Sequence, residues 1–372
     1  MNSYRIFIPT VLLLFLSLVL IGCFSKEPAS FVEGTETSNL AKMVTGYLIV
    51  NQGWDSAEPD PPRILAISFP DLKQTIVRHR STGWVWSVSG PDNEGRIAFV
   101  EEGEKKHQLK TIYLDGSREE LIFIRPGDPI WDNVIGENLA ISPTGGLIAF
   151  TGKGSDDQNP GALLTLGSIE IWDITKKTGY DTGIIAVDDK LWWSPNGKEL
   201  AYVALVKRNQ IYNGDKLPGS PYGEKYEKEY GKWDKYPVVY IIDIETNQRR
   251  LLHTGWHPVF SADWKKALVA DGDKVYFVDI KTGQSQPFNY PSASWNMPLF
   301  LLPNNIGIFR TLPTAGTSPR WLKRGSFKVG TLMYAIKLGE IDTWKFQTVL
   351  PYDDFRDKLS FGIVKENFKL DY

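Results

Sequence analysis

Residues able to do covalent or coordination chemistry are few in this chain, and they do not fall into a catalytic spacing. His253 and His257 stand four apart, which on a helix would put two imidazoles over one metal ion. They bracket Thr254-Gly255-Trp256, a glycine-interrupted junction to which helical spacing does not apply. Gly152-Lys153-Gly154-Ser155 shares residue types with a phosphate-cradling loop but lacks its spacing and the helix behind it, and it reads as a turn. The chain holds no G-x-S-x-G elbow, no H-E-x-x-H pair and no Ser-x-Asp-x-Gly-x-x-Trp box. A Ser, His and Asp triad can be drawn only by free choice among many residues. This reading assigns no catalytic residue, no metal site and no cofactor, and it expects a binding protein in preference to an enzyme.

Side chains suited to recognition are better represented. The polar insertion Lys207–Pro237 carries Tyr222, Tyr226, Tyr230 and Trp233 among lysines and glutamates. Tyrosine and tryptophan give large contact area at small entropic cost, as interface anchors do. Trp54, in Gly53-Trp54-Asp55, has the same character. A second group, Trp131, Asp188, Asp189, Lys190, Trp256 and His257, falls in junctions between repeated units, where a central channel mouth would gather it. A small-ligand sensor or a carbohydrate hydrolase at that mouth is the alternative reading. Hydrolysis would need two carboxylates about 5–9.5 Å apart.

Cys23 is the sole cysteine, so an intramolecular disulfide and a thiolate-cluster metal site are excluded. Before it come Arg5, a nearly continuous apolar run from Ile6 to Ile21, and the small residue Gly22, the order of a secretory signal. Leu20-Ile21-Gly22-Cys23 resembles the bacterial lipobox. The resemblance implies removal of residues 1–22, a diacylglycerol thioether on Cys23 and a further acyl chain such as palmitate on the new amine. Residues 23–44 are polar and rich in Ser, Thr and Glu, and read as a lipidated flexible tether. The expected location is the extracytoplasmic side of a bacterial membrane. Without an aspartate directly after Cys23, a two-membrane cell would send it to the outer membrane.

The body must position these residues, and its composition is that of a folded domain: 372 residues in all, 42% hydrophobic, 23% charged and 13% aromatic. A formal net charge of −2 gives no general footprint for nucleic acid. Two phrases recur along it. One is Ile141-Ser142-Pro143-Thr144-Gly145, Trp193-Ser194-Pro195-Asn196-Gly197 and the degenerate Phe260-Ser261-Ala262-Asp263, each a strand, a tight polar turn and a second strand. The other is Ile171-Trp172-Asp173-Ile174, Ile242-Asp243-Ile244 and Val278-Asp279-Ile280, followed by Lys177-Thr178-Gly179, Glu245-Thr246-Asn247 and Lys281-Thr282-Gly283. The aspartates are expected to accept hydrogen bonds in the turn after the third strand. Four short strands per unit make a propeller blade.

Units at about 83–125, 137–187, 190–252, 256–289 and 295–350 are complete, while 45–79 supplies three strands and 358–364 supplies one. The expected fold is all-β, a six-bladed β-propeller over 45–372 forming one domain, its first blade closed by the C-terminal strand. Seven blades are the alternative. The two phrases resemble the TolB-type β-propeller repeat, a WD40-like pattern of Trp/Phe-Ser-Pro-Asp-Gly-x-x-Ile-Ala-Phe followed by Tyr-x-Ile-Asp-x-x-Thr-Gly, with the strong matches over 140–283. The resemblance implies a propeller architecture and a binding role. Space for TolB's separate amino-terminal domain, and for the hydrolase domain that accompanies propellers in prolyl oligopeptidase-like enzymes, is not expected. The long insertions fall between the second and third strands of their units, on one face. The resulting expectation is a membrane-anchored envelope lipoprotein that binds a protein or cell-wall partner through that face.

Overall fold

A computed structural model describes residues 39–52, 63–79, 84–103, 106–126, 135–152, 166–187, 190–207, 235–271, 274–288, 296–311, 331–338, 343–348 and 359–364. After a short 3-10 helix, η1 (Asn39–Met43), come β1 (Gly46–Gln52), β2 (Arg63–Phe69) and β3 (Gln74–His79). The next units are β4 (Trp84–Ser89), β5 (Arg96–Gly103), β6 (Lys106–Tyr113) and β7 (Glu120–Pro126), then β8 (Ile135–Ile141), β9 (Leu147–Gly152), β10 (Leu166–Asp173) and β11 (Thr178–Val187). They are followed by β12 (Trp192–Trp193), β13 (Glu199–Lys207), β14 (Lys235–Asp243) and β15 (Arg249–Thr254), then β16 (Trp256–Phe260), β17 (Lys266–Asp271), β18 (Lys274–Asp279) and β19 (Ser285–Phe288). The last are β20 (Asn296–Leu302), β21 (Ile306–Thr311), β22 (Thr331–Lys337) and β23 (Thr343–Thr348), with β24 (Leu359–Gly362) alone at the end.

From β4 to β23, each run of four strands forms its own antiparallel sheet in chain order, and a further sheet has the order β24-β1-β2-β3. The expected blade count is corrected by this arrangement. Counted as continuous four-strand repeats there are five, not six or seven, and the remaining sheet is a composite of the two chain ends. Residues after Asn296 supply one repeat and the closing strand, so among the described residues no strands are left for a seventh blade. The physical reason is that a ring cut inside a sheet leaves no free sheet edge at its inner end once the two pieces pair. Closure runs through Tyr47↔Gly362, Leu48↔Phe361, Ile49↔Ser360 and Val50↔Leu359. Ser360 Oγ also accepts the Gly90 amide at 3.1 Å, tying β24 to the neighbouring repeat.

Alternation along each second strand divides its side chains between two seams. In β5, Ile97 and Phe99 pack with Ile49, Ile64 and Val85, whereas Ala98 and Val100 pack with Leu109, Ile148 and Phe150. In β13, Leu200 and Tyr202 join one cluster and Ala201 and Val203 another. Because both sheet faces are covered, consecutive residues are all buried, which explains the nearly unbroken apolar runs in these strands. η1 belongs to this core: Leu40, Ala41 and Val44 are buried with Leu48, Phe69 and Leu72 of the composite sheet and with Leu302, Ile306 and Ala335 of the last repeat. Leu40, Ala41 and Val44, which the sequence reading placed in the tether, are thus part of the packed body.

Turns at one end of the sheets are fixed by their own side chains. Ser194 Oγ donates to Asn196 Oδ1 at 2.7 Å and accepts the Glu199 amide at 2.8 Å, with Gly197 at φ 69° completing the reversal. Ser261 and Asp263 repeat this pairing at 2.7 Å. In the turns after the third strands, Asp173, Asp243 and Asp279 accept the amides of Lys176, Thr246 and Thr282 at 2.8, 2.8 and 2.9 Å, as their positions in the repeat imply.

An ion network joins the composite sheet to the β4–β7 repeat. Arg78, 7% exposed, donates to Glu101 at 3.0 Å and Glu119 at 2.8 Å, and Lys110 reaches the same two carboxylates at 2.6 and 3.1 Å. Burial alone would raise the Glu101 carboxyl, but hydrogen bonds from Lys110 and Arg78 outweigh it and hold the group below the usual carboxylate value. The stabilisation from this network is therefore present at neutral pH and is lost as pH falls through that depressed value.

Two outcomes follow for stability. Removing residues 357–372 deletes the β24 ladder and leaves β1 as an open edge, so the truncated protein is expected to lose several kcal/mol at about 1 kcal/mol per backbone hydrogen bond, read as an early, broadened thermal transition. Glu101→Gln leaves Arg78 buried with half its partners and is expected to cost about 3 kcal/mol in urea unfolding. The double change Arg78→Met with Glu101→Leu should recover most of that loss.

Candidate functional site

In these antiparallel sheets the second strand ends where the third begins, at the same end as the junctions from one repeat to the next. Four long second-to-third-strand connections, 53–62, 153–165, 208–234 and 312–330, join β1 to β2, β9 to β10, β13 to β14 and β21 to β22. All four leave the same end of the ring, as does the ten-residue connection 349–358 from β23 to β24. The connections at the other end are the short turns described above.

The bases from which these connections rise are rigid. Under 208–234 the β13–β14 ladder stays in register to Lys207↔Lys235, and Tyr236 lies half-buried against the cluster that contains Tyr202 and Tyr240. Under 153–165 two glycines pinch the neck: a Cβ on Gly167 would run into the Gly152 carbonyl oxygen. Beside this neck Glu170 pairs with Arg125, whose guanidinium lies over the rings of Phe123 and Phe150 at 5.6 and 5.5 Å. Under 53–62, Asn51 is buried and donates through Nδ2 to the Val85 carbonyl at 2.6 Å. A loop on such a ladder can vary in sequence without moving its ends.

Of the residues singled out from sequence, Cys23, Trp54, Trp131, Asp188, Asp189, Tyr222, Tyr226, Tyr230 and Trp233 lie outside the described residues. Trp256 and His257 lie within them, at the start of β16 on the long-loop side. Trp256 is half-buried against the Val239 and Phe260 cluster. His257 is exposed and holds φ 49° immediately before Pro258, a left-handed conformation that proline disfavours for its predecessor. The register shift between Trp256 and Val259 accommodates it.

His253 and His257 do not form a pair. His253 is buried, its Nδ1 donates to the Thr254 carbonyl, and Nε2 is 3.2 Å from Ser285 Oγ. A carbonyl only accepts, so the proton of the neutral ring sits on Nδ1 and the Ser285 hydroxyl donates to Nε2. Among the described residues no group of three or more His, Cys, Asp or Glu side chains converges on a point.

Lys190, which the sequence reading placed at a channel mouth, meets Trp192 at the inner end of the ring. Trp192, on an innermost strand, meets Phe260 and Phe300 of two other innermost strands at centroid distances of 6.3 and 6.4 Å. Lys190 Nζ lies 4.9 Å from the Phe300 centroid, 6.0 Å from that of Trp192, and 3.5 Å from the Leu299 carbonyl. These contacts make an aromatic cluster shared by three innermost strands, with a cation beside it. The adjacent Trp193 is buried and donates Nε1–H to the Ala140 carbonyl at 2.9 Å, a packing role between repeats. In the double aromatic Trp192-Trp193, strand alternation sends the two rings to opposite faces of the sheet, Trp193 toward the preceding repeat and Trp192 toward Phe260 and Phe300.

No protein-family model matches this chain, and none of the curated proteins is similar to it in sequence. Among solved structures it is similar to TolB from Acinetobacter baumannii, with a TM-score of 0.56 and 15% identity over 86% of this chain and 67% of that one. It is also similar to a chain of a Nidogen/Laminin complex, with a TM-score of 0.50 and 11% identity over 85% of this chain and 97% of that one. At these identities the likeness is one of fold: the chain is a distant structural match to TolB-like β-propellers.

The His253 environment gives a pH test of this side of the structure. Burial holds its imidazole below the ordinary 6.5, the Thr254 contact opposing only in part. Below that value the unfolded chain takes up a proton that the folded one resists, so stability is constant above it and falls as pH drops through it, by at most about 1.4 kcal/mol per pH unit. Thermal unfolding followed from pH 8 to 5 should show this fall, and His253→Gln should flatten the part of the slope that begins near pH 6.5.

Proposed function

We propose that this chain is a non-enzymatic lipoprotein of the bacterial cell envelope, held to the membrane through Cys23, which binds a protein or cell-wall partner with the long-loop face of its propeller. The observation that carries the reading is the gathering of all four long connections at one end of the ring, above regular ladders, with short self-bonded turns at the other. Insertions tolerated at random would scatter over both ends. The aromatic content of 208–234, with Tyr222, Tyr226, Tyr230 and Trp233, supports contact with a macromolecule rather than with a small metabolite. TolB, whose name attaches to the likeness in fold, supports the choice of a binding propeller by analogy alone. The packing of Trp192 against Phe260 and Phe300 places aromatic rings rather than paired carboxylates at this part of the inner end, which favours the binding reading over the hydrolytic one.

The anchor and the binding face are tested separately. Cys23→Ser removes the acylation thiol and should abolish palmitate labelling and leader removal. For the face, a photo-crosslinking residue at Tyr226 or Trp233 of the lipidated protein should give one discrete adduct in envelopes, and the same residue at Lys281 should give none. With the photo-crosslinking residue placed instead at His257, on the same side but outside the loop, replacing 208–234 by a short turn should remove the adduct while leaving the thermal transition within a few degrees of wild type. Adducts from Lys281 alone, or an adduct indifferent to loop replacement, would refute the binding-face assignment.

A further inference from the structure

The place where the chain joins its packed body has a consequence for how the propeller stands on a membrane. η1 sits on the short-turn end: its neighbours Phe69 and Leu72 belong to the turn between β2 and β3, and Leu302 and Ile306 flank the turn between β20 and β21. β1 then runs away from that end, so that Gln52, where the first long connection starts, is about 20 Å further on at about 3.4 Å per residue. Residues 24–38 alone separate the acylation site from Asn39. Sixteen Cα steps span at most about 53–58 Å when fully extended, so η1 is tied within that reach of any lipid surface that holds Cys23, by a shorter path than any other described part of the body. On η1 itself Lys42 and Met43 are exposed, a cation and an apolar side chain side by side, a combination that suits a head-group layer. The rest of the short-turn end bears closely spaced opposite charges, such as Lys176 with Asp173, Lys198 with Glu245 and Lys265 with Asp263, which suit hydrated contact without insertion.

Resting on the anchored-lipoprotein reading above, we infer that the short-turn end is the membrane-facing surface of this propeller and that the long-loop face is held outward, away from the bilayer. The partner is then a molecule reaching toward the membrane from the envelope space, not a protein buried in the same leaflet.

Acylation of Cys23 leaves no native thiol, so single cysteines introduced elsewhere can carry a fluorophore without competition. Lipidated protein would be reconstituted in phosphatidylethanolamine–phosphatidylglycerol vesicles doped with a head-group nitroxide lipid. Labels at Lys73→Cys and Lys281→Cys on the short-turn end should be quenched several-fold more than labels at His79→Cys and His257→Cys on the long-loop side. Quenching that is equal at the two ends, or greater at His79 and His257, overturns the orientation while palmitate labelling of the same samples leaves the anchor standing. Loss of palmitate label from the wild-type chain itself would overturn the anchor and the orientation together.

Discussion

A sheet that buries both faces needs a neighbour on each side, and a ring of such sheets can satisfy that need only by bringing its last strand back to its first. Here the demand falls on the short ladder between Leu359–Gly362 and Tyr47–Val50, reinforced by the Ser360 contact to Gly90. η1 fills the wedge that remains between the composite sheet and the last repeat, where Leu40 and Val44 are fully buried. Every other seam inherits its geometry from this closure, because the alternating side chains of β5 or β13 reach their separate clusters only if the sheets on both sides are in place.

Polar contacts between sheets then set the angular positions. Arg96 donates to the Gly145 carbonyl at 2.8 Å, Trp264 to Glu199 at 2.7 Å, Arg250 to the Ile280 carbonyl at 2.8 Å and Trp193 to the Ala140 carbonyl at 2.9 Å. Each crosses from one sheet to the next. The outermost strands are handled differently. β11, the longest, has its ladder with β10 broken between Ser168 and Glu170, with Gly183 at φ 70° and Thr182 donating to the Ile169 carbonyl. A bulge at that position bends an exposed edge away from the flat geometry that recruits further strands.

Much of the architecture was legible in the sequence because the two recurring phrases encode turns with a fixed chemistry. Ser194, Asn196 and Gly197, or Asp243 with Thr246, can make their bonds only in one reversal, so residue identity and backbone shape coincide. The inner strands carried short apolar runs rich in β-branched and aromatic residues, bounded by these turns. What could not be read was anything that depends on the register between sheets. Arg78, Glu101, Lys110 and Glu119 sit in three different strands and a turn, and no local pattern relates them. Leu40, Ala41 and Val44 are too few and too closely spaced to show a period, so η1 looked like tether. Of the recognition residues, Trp256 and His257 stand at the start of β16 because the repeat fixes where a unit begins, but loop positions such as Tyr222 have no repeating chemistry from which a position could be argued.

The junction of η1 with β1 also decides how the molecule carries tension. A pull on the chain ahead of Asn39 would be delivered along the axis of β1 once η1 had lifted from its seat. β1 is flanked by antiparallel ladders on both sides, from Gly46↔Phe69 to Gln52↔Arg63 on one and from Tyr47↔Gly362 to Val50↔Leu359 on the other. Hydrogen bonds in such ladders lie across the strand, so an axial force loads them together in shear instead of opening them one after another. The strand that receives the force is also the one that both chain ends cooperate to hold. Under such a pull the ladders on either side of β1 would act as a clamp, with η1, which belongs to no ladder, lying ahead of them.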